Sequence, residues 1–90
     1  MAYFVVTYDL VTEEEFDYQR LWDALAAFDS QKYQLSCYLV DANATATGLF
    51  NHLRQFMHDV DRLMVVEFSK KPAWKKGLPG TKAWLDARFP

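Results

Sequence analysis

Asp9 closes the β-rich run Tyr3, Phe4, Val5, Val6, Thr7, Tyr8, and a carboxylate at the end of a strand has two uses. A hard cation such as Mg²⁺ takes oxygen ligands, keeps several waters, and needs one or two protein carboxylates plus substrate phosphates. The ion would then polarise a phosphodiester and acidify its bound water, which is the chemistry of a nuclease. The other use is local, with Asp9 accepting backbone N–H bonds in the turn that follows the strand.

The second candidate is Lys70, Lys71, Pro72, Ala73, Trp74, Lys75, Lys76. Four ammonium groups around one indole can track a phosphate backbone and offer a base a stacking face. Alternatively the lysines solvate a connecting loop while Trp74 folds back onto an open sheet face. The remaining chemistry-bearing residues carry less. His52 and His58 stand six apart in a helical stretch without a cysteine or carboxylate partner at metal spacing, and read as exposed polar-face residues. Ser36 has no activating His or Lys nearby in sequence, and Cys37 alternates with core positions as a small buried hydrophobe. Glu13, Glu14 and Glu15 suit the first turn of a helix better than a metal site, because the helix dipole favours carboxylates there.

These residues must be positioned by one small domain. The chain has 90 residues, 51% of them hydrophobic and 17% aromatic, enough for a single core without disulfides or a structural metal. One cysteine excludes an internal disulfide and fits a reducing compartment. No leader-like or membrane-spanning apolar stretch is visible, so a cytoplasmic location with no membrane partner is expected. Gly-rich phosphate loops and nucleophile elbows are missing, which sets aside the common cofactor enzymes. The net charge of −2 conceals an asymmetry: residues 1–30 sum to −6 and residues 61–90 to +4. A polyanion would meet the C-terminal third.

Residues 3–8 read as a first strand, and Tyr18, Leu21, Trp22 and Leu25 recur at helical spacing in a first helix expected from Glu13 to beyond Ala26, with Phe28 extending it. Residues 32–40 return to period two, with Tyr33, Leu35, Cys37 and Leu39 on one face, as one bent strand or two short ones. Asn43, Thr45 and Thr47 offer caps for a second helix whose stripe is Ala46, Leu49, Phe50, Leu53, Phe56 and Met57. Residues 63–68, a continuous apolar run broken only by Glu67, read as a last, interior strand, and Pro79 suits the first turn of a short terminal helix ending near Pro90. The expectation is an α+β, ferredoxin-like split β-α-β sandwich with two helices on one face of an antiparallel sheet. Residues 1–69 form its core, and residues 70–90 are a basic, Trp-containing extension that packs on the core or on a dimer partner. Two helices cover one face only, so a second copy or the Trp-rich tail closes the other.

Several pieces, in order along the chain, resemble bacterial proteins of the SinR-like type, distantly similar to the small CRISPR adaptation protein of the Cas-two type and to VapD-like and GhoS-like proteins. They are Tyr8-Asp9-Leu10, Asp17-Tyr18, Leu21-Trp22, Leu35-Ser36, Leu53-Arg54-Gln55-Phe56, Asp61-Arg62-Leu63, Ala73-Trp74 and Ala83-Trp84-Leu85. The resemblance implies a ferredoxin-fold homodimer in which Asp9 meets its two-fold mate and holds one divalent metal. Where those relatives often have an arginine-rich first helix, this chain has Glu13, Glu14 and Glu15 with Arg20 alone.

Two functions from different classes follow. One is a Mg²⁺-dependent endonuclease acting on RNA or DNA, with Asp9 as catalytic metal ligand and Lys70, Lys71, Trp74, Lys75 and Lys76 holding the nucleic acid. The other is a non-catalytic homodimeric adaptor or regulatory protein that binds a protein partner. A ligand-binding ferredoxin-like module is a third, for which the sequence specifies no ligand.

Overall fold

The computed structural model describes residues 2–11 and 16–90. In chain order the elements are β1 (Ala2–Asp9), α1 (Gln19–Ala26), β2 (Asp29–Gln34), β3 (Cys37–Ala42), α2 (Ala46–Arg54), β4 (Arg62–Phe68) and α3 (Thr81–Arg88). They form an α+β fold whose four-stranded antiparallel sheet has the order β2-β3-β1-β4. The strand nearest the N-terminus is central, with Val5 opposite Leu39 on one side and Val66 on the other.

Helix α1 is shorter than its periodicity suggests. Asp17 Oδ1 accepts the Gln19 N–H at 2.9 Å, so one of the orphan donors of the first turn is met there. At the other end the Ser30 hydroxyl donates to the Leu25 carbonyl at 2.8 Å, and Phe28 lies beyond the helix. Leu21 and Leu25, one turn apart, are the buried pair. Glu13, Glu14 and Glu15 lie outside the described residues.

The stretch read as one bent strand or two is two strands in a hairpin, turning at Leu35 and Ser36. A register shift between Lys32 and Gln34 breaks the alternation, so Leu35 stands in the turn at 80% exposure while Tyr33, Cys37 and Leu39 keep a common face. Helix α2 is capped by Thr45, whose hydroxyl accepts the Gly48 N–H at 3.0 Å. It ends at Arg54, earlier than its apolar stripe; Phe56 and Met57 follow in tighter turns and still pack on the core. Pro79 precedes α3 instead of entering its first turn. The cap is Gly80 at φ 98°, where a Cβ would also stand 2.6 Å from Gln31 Oε1.

The two sheet faces are closed differently. On one, Phe4, Val6, Tyr8, Val40 and Ala42 pack against Leu21, Leu25, Leu49 and Leu53 of α1 and α2. Each such fully buried aliphatic or phenyl side chain contributes about 1.5–3 kcal/mol. On the other, Leu39, Trp84 and Leu85 form a smaller core joined by Tyr3, Val5, Tyr33, Phe68, Trp74 and Phe89, so residues 70–90 cross their own sheet. The cover is incomplete: Met64 and Val66 of β4 are 60% and 48% exposed. No helix among the described residues is long and apolar enough to cross a membrane.

Candidate functional site

Asp9 is the last residue of β1, directly opposite Arg62, the first of β4. Its carboxylate accepts from Arg62 Nη1 at 3.0 Å, and both side chains are largely exposed. Such an exposed, solvent-screened pair contributes at most about 1 kcal/mol. In the turn after β1, the Val11 N–H donates to Asp61 Oδ1 at 2.9 Å, not to Asp9. Asp9 borders a shallow depression with Thr7, Tyr8, Leu63 and Met64. Among the described residues no three His, Cys, Asp or Glu side chains converge as a metal-ligand set. Among the described residues of one chain, Asp9 offers a divalent cation a single carboxylate, which faces Arg62.

The basic segment takes a defined path. It leaves β4 at Phe68, which lies opposite Tyr3, six residues along β1 from Asp9 and therefore roughly 20 Å away. It then crosses the second face to β2, where the Tyr33 hydroxyl donates to the Lys75 carbonyl at 3.1 Å and the Leu78 N–H donates to the Tyr33 carbonyl at 2.8 Å. Lys70, Lys75 and Lys76 are exposed, and Lys71 pairs with Asp86 at 3.2 Å. Trp74 is half-buried, edge-on to Tyr33 with ring centroids 6.4 Å apart. Its packing is that of a lid on the sheet, and the four lysines are spread along a strap instead of gathered beside Asp9.

Beneath that strap lies an apolar cavity of about 150 Å³, lined by Val5, Tyr33, Cys37, Leu39, Trp74 and Leu85 among others. Cys37 is buried, and burial pushes its thiol above the ordinary range. A thiol held protonated and covered reacts slowly. Alkylation of Cys37 by iodoacetamide at pH 8 is therefore expected to be at least tenfold slower in the native protein than in denaturant. Equal rates would mean that the strap opens freely.

The sequence reading passed over the residue that organises the strand ends. Asp61 accepts from the Val11 N–H, from the Tyr18 hydroxyl at 2.7 Å and from the His58 N–H at 2.8 Å. Burial pushes its carboxyl up, but the three donors outweigh that and hold it below the ordinary carboxylate value. The histidines play supporting parts. His58 Nδ1 accepts from the Val60 N–H at 3.3 Å, and His52 stands edge-on to Phe28 and Phe56.

A second ionic cluster fastens α3. Arg88 Nε donates to Asp41 Oδ2 at 3.0 Å, its Nη2 pairs with Asp29, and its guanidinium lies 3.8 Å from the Trp84 ring centroid. Trp84 Nε1 donates to Asp29 Oδ1 at 3.2 Å. The only sequence signal for this latch was a basic residue in the last turn of a helix, which also satisfies a helix dipole.

No protein-family model matches the chain, and no solved structure matches it.

Proposed function

We propose that the chain is a non-catalytic homodimeric adaptor or regulatory protein. The observation that carries this reading is the unfinished cover of the second sheet face: the chain's own tail buries Leu39 and Trp84 but leaves Met64 and Val66 in water. Adjacent exposed apolar side chains on a regular strand favour a macromolecular contact. A protein partner, which the acidic N-terminal third suits if basic, completes the adaptor reading.

The ferredoxin-like reading and the relationship to SinR-like and Cas-two-type proteins belong to the same proposal. The elements run β-α-β-β-α-β before α3, and the strand order read from the other edge is β4-β1-β3-β2, which supports a split β-α-β arrangement.

The second reading, a Mg²⁺-dependent endonuclease with Lys70, Lys71, Lys75 and Lys76 along the strand, is favoured by one observation. Asp9 stands exposed at the rim of the open strip, so two copies stacked face to face there would bring their Asp9 carboxylates near each other. The two readings part in one experiment. The wild type and Asp9→Ala are incubated with labelled single- and double-stranded RNA and DNA and Mg²⁺ or Mn²⁺, and sedimented at the same concentrations. A dimer without cleavage is expected. Cleavage lost in Asp9→Ala would overturn the adaptor reading in favour of the nuclease.

A further inference from the structure

The two edges of the sheet differ in kind. On β2 the edge carries Asp29, Ser30, Gln31, Lys32 and Gln34, contains the register shift, and lies under α3 and the strap, which hold it through Gln31, Tyr33 and Asp29. Charge, irregularity and cover are the devices by which an edge is kept from pairing. The other edge, β4, carries charge only at Arg62 and Glu67 and is otherwise regular: Arg62–Phe68 is seven residues without proline, lysine or bulge, and its pairing with β1 is continuous from Arg62 to Phe68.

From this contrast we infer that β4 is the dimer contact: it pairs antiparallel with β4 of a second copy about a two-fold axis at Val65, joining the two sheets into one of eight strands. The proposal deepens the homodimer reading above and rests on it.

The occupant follows from the strand's own sequence. Centring on Val65 is the register that pairs all seven residues. Met64 then faces the second copy's Val66 twice, gathering the exposed apolar side chains into one patch on the open face. Val65 faces its own mate on the helix side, Leu63 faces Glu67, and Arg62 faces Phe68. No like charges stand opposite each other, which would be destabilising.

This geometry also bears on Asp9. Arg62 and the second copy's Arg62 fall at opposite ends of the paired strands, and each Asp9 goes with its own Arg62. The two carboxylates are then roughly 20 Å or more apart, too far to share an ion. Edge pairing therefore joins dimerisation to the absence of a shared Asp9 site.

The test uses single-cysteine variants of the full chain in a Cys37→Ser background. Val65→Cys places two thiols at directly opposed positions, within disulfide reach, and Asp9→Cys reports on face-to-face stacking. Under mild oxidation, covalent dimer is expected from Val65→Cys at least tenfold in excess over Asp9→Cys. Hydrogen exchange on the wild type supplies a readout independent of the substitutions: β4 amides gain protection with rising concentration. A sedimenting dimer that cross-links through Asp9→Cys, or shows no concentration-dependent protection of β4, would overturn the edge proposal alone. A monomer at all concentrations would overturn the homodimer reading with it.

Discussion

Arg88→Ala is expected to destabilise the fold by about 3 kcal/mol, most of it from the charge it leaves behind. Arg88 and Asp41 are 12% and 15% exposed, and Asp41 Oδ1 is buried without a hydrogen-bond partner among the described residues. The guanidinium is what satisfies the other Asp41 oxygen, and it also pairs with Asp29 and covers Trp84. Removing it leaves a largely buried carboxylate between β3 and α3 without its cation. For a domain of this size the loss corresponds to a melting temperature lower by roughly 10–20 °C, measured by circular dichroism. Arg88→Lys should fall between the two, because an ammonium keeps the charge but not the planar stacking or the forked pairing. The double variant Asp41→Leu/Arg88→Met should recover much of the loss, since removing both partners strands neither. A melting temperature for Arg88→Ala within 3 °C of wild type would show that α3 is held by its apolar contacts alone.

That latch marks the limit of what could be read from the sequence. The α+β class, the central first strand and the capped second helix were legible, because burial imposes periodicity and Thr45 stands where a cap is needed, whereas residues 63–68, apolar enough to read as an interior strand, form the edge strand β4. Cys37 as a buried hydrophobe was legible for the same reason. The hairpin was half legible: two strands were allowed for, but a bulge inserts a residue without changing composition, and Leu35 was placed on a face it does not share. Long-range polar partners were not legible. Asp9 meets Arg62 across 53 positions, Arg88 meets Asp41 across 47, and Val11 meets Asp61 across 50. Nothing local in a charged residue says which distant charge it faces. For the candidate site this reversed the emphasis. Asp9 drew attention by ending the first strand, whereas Asp61, beside the Arg62 that pairs with Asp9, serves the turn that follows it.

Asp61 should accordingly be the most sensitive carboxylate in the protein. One oxygen accepts the Val11 N–H, and the other accepts both the Tyr18 hydroxyl and the His58 N–H, joining the exit of β1, the start of α1 and the approach to β4. Hydrogen bonds to a charged group contribute about 1.5–3 kcal/mol each and are not additive here, so Asp61→Ala is expected to cost about 3 kcal/mol. Asp61→Asn should cost about half of that: an amide oxygen can still serve Tyr18 and His58, but its NH₂ then confronts the Val11 N–H. Tyr18→Phe, which removes one donor, should cost about 1 kcal/mol. The pH dependence has a definite sign. A carboxyl whose folded value lies below its unfolded value contributes stability that is complete above the unfolded value of about 4 and is lost as pH falls through the folded one. The difference between wild type and Asp61→Asn in urea unfolding should therefore be full at pH 6 and shrink as pH falls below about 4. Asp86, held low by Lys82 and Lys71, makes both proteins acid-sensitive and cancels in that difference. A gap that widened on acidification would mean that Asp61 is protonated in the folded state, and that burial rather than its three donors governs this carboxyl.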